Sequence, residues 1–269
     1  MVDSSYRFRL GKFECMVVHD GSLKVPGPPT HQSGGISDME NGEIMDVSCL
    51  YINTGSHKVL IDTGCGSLFQ AGTGKLVKNL TAAGIGLNTI EMIIHTHGHL
   101  DHVAGSFSDR GEAVFPNARY IVAKTEWECW ESPRERAELQ PLFTAARKYY
   151  LPRREHFTLV EDGSEVLPGI TLTITPGHTP GSTMLTISAG GEKLVCIGDM
   201  IHSAREFEQP DYYGFLDFDP ELAIKTRNKV LSEMQKSNRL VFACHFPFPG
   251  IGHIIKNGNR LGWRAVDKN

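Results

Sequence analysis

The sequence predicts an α/β or α+β fold, because short apolar strands alternate along it with charged, helix-prone segments. Three apolar segments, at residues 89–94, 194–197 and 240–243, are followed within two residues by a histidine or an aspartate. Polar side chains at the ends of buried strands are typical of active sites in layered folds. Since these segments span most of the 269 residues, we expect a single domain over residues 1–269.

Alternation of apolar and polar residues predicts the first strands. Residues 7–18 alternate in this way and predict one or two strands, and residues 46–53 and 58–62 predict two more. The segment 21–45 contains a Pro-Gly-Pro-Pro sequence and a Gly-Gly pair, and it is too long for a simple connection. We therefore expect a loop at residues 21–45, either a lid or wall over a binding site or a disordered excursion.

The run HTHGHLDH at residues 95–102 follows a short β-branched strand. His97 and His99 lie two residues apart, which places both side chains on one side of an extended chain. Asp101 and His102 are adjacent and must project differently, so we expect a helix to begin there, where the charge of Asp101 is favoured. Imidazole and carboxylate suit zinc and similar ions, and the run therefore divides into two pairs that can serve two metals.

Helical patterns occur in three other segments. Residues 76–83 predict a helix that Gly84 ends, and residues 220–235 predict another with Pro220 in its first turn. The charged segment at about residues 124–150 is interrupted by two prolines, so it predicts two or three helices inserted between strands. Its aromatic side chains are expected to be mostly core residues: Trp127, Trp130, Phe143, Tyr149 and Tyr150.

Three later residues have the chemistry to complete two metal sites. His178 follows a strand in a turn rich in glycine and proline, and Asp199 and His245 each follow an apolar strand. A zinc ion takes four ligands, and a catalytic zinc keeps one position for water, so residues 95–102 need such partners. His95 continues the alternation but precedes the turn, and we interpret it as a packed or hydrogen-bonded strand histidine.

These motifs, in this order, resemble the metallo-β-lactamase superfamily from Val47 to His253. The resemblance implies a four-layer αββα sandwich with two mixed β-sheets. It also implies a role for each candidate ligand. His97, His99 and His178 would hold one metal, Asp101, His102 and His245 would hold the other, Asp199 would bridge them, and Asp62 would accept a hydrogen bond from a ligand imidazole.

Such a site implies a hydrolase with two divalent ions, zinc first and manganese, iron or cobalt as alternatives. A hydroxide bridging the ions would attack a small lactone or carboxylic ester, and Asp101 would carry a proton to the leaving group. Three other activities stay open: organophosphate or phosphotriester hydrolysis, a glyoxalase-II-like thioesterase, and a mononuclear iron persulfide dioxygenase. A binding protein without activity is the remaining class.

The substrate pocket is indicated by two segments. Residues 198–202 and 244–253 resemble the branch that holds lactonases and methyl-parathion-type hydrolases. Phe246 and Phe248 would either line an apolar wall for an acyl or aryl group or pack the strand end. His202 stands where well-known lactonases carry tyrosine, and it is a second candidate catalytic residue that could bind substrate, bind a ligand carboxylate or cap a loop.

Composition excludes several other classes of protein. Lys and Arg total 27 against 31 Asp and Glu, for a net charge of −4, and no dense basic run favours nucleic acid. No apolar stretch or leader suggests a membrane or secreted protein. The six cysteines form no Cys-x-x-Cys pair. We therefore expect a cytoplasmic protein with reduced thiols. A homodimer is compatible with the sequence and with the resemblance.

Overall fold

The computed structural model describes residues 4–25, 43–67, 71–132, 142–209, 211–213, 216–235, 239–258 and 260–267. Within these residues, fourteen strands form two mixed sheets of seven strands each. The expected pair of mixed sheets is therefore confirmed. Helices cover the outer faces, and none of the described helices is long and apolar enough to cross a bilayer.

The first sheet follows the chain order from β1 to β7. Strands β1 to β4 pair antiparallel, and β4 to β7 pair parallel. The strands are β1 (Ser5–Leu10), β2 (Phe13–Val25), β3 (Glu43–Asn53), β4 (Lys58–Ile61), β5 (Met92–Ile94), β6 (Arg119–Ala123) and β7 (Phe157–Val160).

The second sheet has the order β14 to β8 and is antiparallel apart from the parallel pair β11 and β12. Its strands are β8 (Glu165–Leu167), β9 (Ile170–Ile174), β10 (Thr183–Ala189), β11 (Glu192–Cys196), β12 (Leu240–Phe242), β13 (Ile251–Asn257) and β14 (Arg260–Ala265). The two sheets pack face to face over an apolar core that includes Val17, Ile61 and Ile94 from the first and Leu185 and Phe242 from the second.

Helices complete the outer layers: α1 (Leu76–Ala82), α2 (Leu100–Val103), α3 (Lys124–Glu131), α4 (Arg205–Glu208) and α5 (Pro220–Met234). Alternate residues of β2 belong to different cores: Met16 and Val18 lie in the core that includes residues of α1 and α3, and Val17 lies in the core between the two sheets. On the other side, α5 packs Val230 and Leu231 against β11 and β12. Two outer helical layers and two inner sheets thus give the four-layer order.

Two predicted segments differ from the structure. Residues 89–94 are not one strand, because a 3-10 turn occupies Leu87–Thr89 and only Met92–Ile94 pairs. The predicted loop at 21–45 is shorter, because residues 21–25 and 43–45 extend β2 and β3 as the arms of a hairpin. The segment 26–42 between these arms lies outside the described residues. The predicted lid or wall falls on that segment and stays a prediction.

The helical insertion at 124–150 begins with α3 as expected and ends with a π-helical turn at Ala146–Tyr150. The stretch 133–141 lies outside the described residues. All five aromatic side chains predicted to pack are buried in the core between the first sheet and its helices: Trp127, Trp130, Phe143, Tyr149 and Tyr150.

Candidate active site

The candidate ligands gather where strands of both sheets end. Parallel neighbours bring their carboxyl ends to the same edge of a sheet, which explains why residues remote in sequence meet here. The connections involved are Asp62 after β4, residues 95–102 after β5, His178 after β9, Asp199 after β11 and His245 after β12.

The first group of ligand atoms belongs to three imidazoles and one carboxylate. His97, His99, His178 and Asp199 each contribute one nitrogen or oxygen, and these four atoms lie within 4.8 Å of one another. His178 Nε2 lies 3.0 Å from His99 Nδ1 and 3.3 Å from Asp199 Oδ2. His97 Nε2 lies 3.7 Å from the same oxygen. All four residues are buried.

A second group lies on the other side of Asp199. His102 Nε2 and His245 Nε2 lie 3.2 and 3.1 Å from Asp199 Oδ1. Asp101 Oδ2 lies 3.7 Å from the first of these nitrogens and 3.5 Å from the second. The Cys244 thiol also lies in this group, 3.5 Å from Asp199 Oδ1.

The donor set fits two divalent metal ions. His97 Nε2 and His102 Nε2 are buried without a hydrogen-bond partner among the described residues, an arrangement that is costly unless another group binds there. Burial, reinforced by neighbouring imidazoles, holds the pKa of His97 and of His99 well below the ordinary value. Both rings are therefore neutral at pH 7, the form that coordinates metal.

Three of the candidate ligand imidazoles are oriented through their second ring nitrogen, as metal-binding histidines commonly are. Each Nδ1–H donates to an oxygen from a distant part of the chain. The pairs are His102 with Asp62 Oδ2 at 2.8 Å, His178 with Asp217 Oδ1 at 3.0 Å, and His245 with the carbonyl oxygen of Asp46 at 2.9 Å. Asp62 was expected in this role, whereas Asp217 and Asp46 were missed.

Asp62 is held in an unusual backbone conformation, with φ of 59°, which costs a residue other than glycine on the order of 1 kcal/mol. Its carboxylate accepts from the Thr96 amide at 2.9 Å and from the Thr96 hydroxyl at 2.8 Å as well as from His102. Burial alone would raise the pKa of Asp62, yet the adjacent His102 lowers it to about 2.

His202 lies beside the first group. Its Nε2 is 3.4 Å from Asp199 Oδ2, and its ring centre is 4.8 Å from that of His178. Glu206 accepts from the backbone N–H of His202 at 2.8 Å and pairs with the buried Arg227 at 3.1 Å. Burial opposes protonation, but the carboxylates of Asp199 and Glu206 raise the pKa of His202 well above its ordinary value. His202 thus lies beside the Asp199 carboxylate, and its role as a catalytic or substrate-binding residue stays a prediction.

Two other histidines and two phenylalanines make hydrogen bonds or ring contacts with neighbouring residues. His95 is fully buried, and its Nε2 lies 2.6 Å from the Tyr150 hydroxyl, which matches its interpretation as a hydrogen-bonded strand histidine. His253 Nδ1 bonds to a backbone carbonyl at 3.2 Å. Phe246 is buried against Trp263, with ring centres 4.8 Å apart, and the Phe248 ring lies 5.4 Å from that of His19. Both phenylalanines have packing contacts, and their expected place in an apolar wall for the substrate stays a prediction.

A family model described as the metallo-beta-lactamase superfamily matches residues 43–245. Among named relatives, an N-acyl homoserine lactonase from Bacillus thuringiensis is 28% identical over 222 residues, which cover 75% of this chain and 81% of the relative. A lactonase of the same name from Bacillus cereus is 26% identical over 221 residues, covering 75% and 81%.

Two solved structures align with this chain over almost its whole length. The dizinc quorum-quenching lactonase AidC, solved with its product, is 26% identical with a TM-score of 0.88, and the alignment covers 99% of each chain. The hydrolase AbOPH is 27% identical with a TM-score of 0.90, covering 100% of this chain and 99% of the other. The chain therefore belongs to the metallo-beta-lactamase superfamily and is a metal-dependent hydrolase.

Proposed function

We propose that this protein hydrolyses a small lactone or carboxylic ester at a site that holds two divalent metal ions, with zinc as the preferred metal. The observation that carries the proposal is the orientation of Asp199. Its Oδ2 faces His97 and His178, while its Oδ1 faces His102 and His245. One carboxylate between two groups of imidazoles is the arrangement that a bridging ligand requires.

In this proposal, His97, His99 and His178 would hold the first ion, Asp101, His102 and His245 would hold the second, and both would share Asp199. When bound, the two ions supply Lewis acidity, which lowers the pKa of the attacking water and polarises the carbonyl oxygen. Imidazole and carboxylate ligands also accept manganese, iron or cobalt, so metal analysis decides the identity.

Asp101 has the position for proton transfer. Its side chain is 15% exposed, whereas those of Asp199, His102 and His245 are at most 4% exposed. A carboxylate open to solvent can take a proton from water and deliver it to the departing alkoxide. We assign Asp101 this role in addition to its role as a ligand.

His202 is proposed to bind the substrate. Its Nε2 is buried and has no hydrogen-bond partner among the described residues, and it points toward the shared carboxylate. A donor at this position can hydrogen-bond the oxygen that becomes negative as the carbonyl is attacked. The Glu206 and Arg227 pair fixes the backbone that carries the ring.

The lactone is placed first among substrates because relatives that align with most of the chain are named N-acyl homoserine lactonases. The neighbour AidC, which spans 99% of this chain, holds the ring-opened product of such a lactone. The ligand set is equally able to hydrolyse an aryl ester, a thioester or a phosphotriester, so substrate shape decides between them.

A panel assay with zinc-loaded protein tests the proposal. The panel contains acyl lactones of several chain lengths, an aryl ester, a glutathione thioester and a phosphotriester. We expect the highest kcat/KM for a lactone or a carboxylic ester. A phosphotriester or a thioester as the best substrate would overturn the substrate assignment, and a single iron per chain would overturn the proposed pair of ions.

Metal content gives an independent check. We expect two equivalents of metal per chain in wild-type protein and one in either His178→Ala or His245→Ala, since each removes a ligand of a different ion. Activity lost on treatment with a chelator should return with added zinc. Full activity with a single equivalent of metal would contradict the dinuclear site.

A cytoplasmic location and a homodimer remain part of the proposal. All six cysteines lie in the described part of the chain, where they are buried and form no disulfide, which is the state expected of thiols in a reducing compartment. Cell fractionation tests the location, and light scattering tests the oligomeric state.

A further inference from the structure

One buried acid outside the ligand set joins two of the ligand loops. Glu126 lies on α3, is fully buried, and receives four hydrogen bonds. Its Oε1 accepts from the Gly98 amide at 2.8 Å and the Trp130 indole N–H at 3.0 Å. Its Oε2 accepts from the Thr179 hydroxyl at 2.6 Å and the Gly181 amide at 3.1 Å.

The two oxygens of Glu126 thus bind different loops. Gly98 stands between His97 and His99, and Thr179 follows His178 directly. The first loop extends from the first sheet and the second loop from the second sheet. One carboxylate therefore fixes the separation of the two loops that carry the three imidazoles of the first group.

Close packing leaves these loops little room to move. A Cβ atom at Gly98 would collide with the Trp130 indole, and one at Gly181 would collide with the Glu126 backbone. Side chains locked by such contacts hold ligands in a productive geometry. The hydrogen bonds described for the Glu126 side chain all end on these two loops and on Trp130.

We propose that Glu126 is a positioning residue that holds His97, His99 and His178 at the spacing required by the first metal ion. The inference rests on the proposed metal assignment and not on the identity of the substrate. Without this carboxylate, each loop loses an acceptor in a buried place, and His99 and His178 are no longer held 3.0 Å apart. The second group, around His102 and His245, depends on other contacts.

Glu126→Gln tests this inference because it keeps the shape of the side chain. An amide has one acceptor oxygen, and its NH2 group can only donate, so one pair of donors faces a group that cannot accept. The matched control is Glu128→Gln, which makes the same chemical change at an exposed position of the same helix.

The measurement is the zinc affinity of the metal-free full chain, determined by competition with a chromogenic chelator. Two backgrounds separate the sites: His245→Ala retains the complete first group, and His178→Ala retains the complete second group. We expect Glu126→Gln to weaken zinc binding about tenfold or more in the first background. In the second background, and for Glu128→Gln in both, the affinity should not change.

Two results would overturn the inference: equal weakening in both backgrounds, which is a general loss of structure, or no weakening in either. If Glu126→Gln does not fold, Thr179→Val removes one donor to Oε2 and should weaken the first site alone, by a smaller factor. Unchanged zinc affinity in that variant would count equally against the inference. A wild-type protein that binds two zinc ions but hydrolyses neither a lactone nor a carboxylic ester leaves this inference standing and refutes only the substrate proposal.

Discussion

Asp62 and His102 lie 40 residues apart in sequence, yet Asp62 Oδ2 is 2.8 Å from His102 Nδ1. The same carboxylate binds the amide and the hydroxyl of Thr96, so it anchors both ends of the turn that carries His97 and His99. Its left-handed backbone, with φ of 59°, aims the side chain at these three donors. A strained residue is thus retained where it orients a ligand.

Removing the charge of Asp62 should weaken the second metal site. Asp62→Asn keeps the size of the side chain but replaces an acceptor oxygen, and loss of such a partner costs about 10- to 100-fold in metal affinity. Competition with a chelator measures the effect, with Asp211→Asn at an exposed position as the control. Affinity equal to that of wild-type protein would show that His102 is oriented by other contacts.

The low pKa of Asp62 makes metal-free protein sensitive to acid. Its pKa falls from 3.8 to about 2 on folding, so ionised Asp62 contributes roughly 2 kcal/mol of stability above pH 4, and this is lost as the pH falls toward 2. The unfolding free energy of wild-type protein should therefore exceed that of Asp62→Asn at pH 6. The difference in unfolding free energy should shrink between pH 4 and pH 2. A difference that stays constant over this range would contradict the lowered pKa of Asp62.

Tyr150 contacts the residue that follows β5, His95. Its hydroxyl lies 2.6 Å from His95 Nε2 and 3.0 Å from the carbonyl oxygen of Val103, with all three groups buried. Tyr150→Phe leaves these atoms without a partner and should lower the free energy of unfolding by about 1 to 3 kcal/mol. Urea denaturation provides the measurement. Tyr213→Phe, at a side chain that is 43% exposed, should change stability by less than about 0.5 kcal/mol.

The buried pair of Glu206 and Arg227 should show strong coupling. Both residues are 1% exposed, and Arg227 Nη1 lies 3.1 Å from Glu206 Oε2. Arg227→Met removes the guanidinium that pairs with the buried carboxylate of Glu206 and should cost about 3 to 5 kcal/mol. The double variant with Glu206→Gln should recover part of this loss in a double-mutant cycle. Additive losses would mean that the two residues act independently.

The six cysteines should resist thiol reagents in the folded protein. All are buried, and burial raises the pKa of Cys15 to about 12 and that of Cys49 well above its ordinary value. Since the thiolate is the reactive form, a colorimetric disulfide reagent should detect almost no thiol until denaturant is added, and then six. Rapid reaction of any cysteine in the native state would reveal an opening that the structure does not show.

The candidate ligands could be predicted from the sequence because short motifs identify them. The spacing of His97, His99, Asp101 and His102 defines two pairs, and His178 and Asp199 each follow a recognisable strand or turn. The helix at residues 220–234 was likewise predictable, since Pro220 and the preceding Asp219 form a standard helix start in which Asp219 accepts from the Leu222 amide.

Residues that orient the ligands were missed because their partners are remote in sequence. Asp217 lies 39 residues from His178, and Glu126 lies 28 residues from Gly98 and 55 from Gly181. A single acid in a charged, helix-prone segment looks like a solvent-exposed residue. The only local signal for Glu126 was its place beside Trp127 and Trp130, the face of α3 that packs against the first sheet.

The distribution of ligands over both sheets has a kinetic consequence. Among the proposed ligands, His97, His99, Asp101 and His102 follow a strand of the first sheet, and the other three follow strands of the second. The proposed ions would therefore act as cross-links between the two halves of the chain, formed only after both halves have folded and docked. Metal bound at such a late stage slows unfolding much more than it speeds folding. The loaded protein should therefore persist for a long time under conditions in which its equilibrium stability is modest.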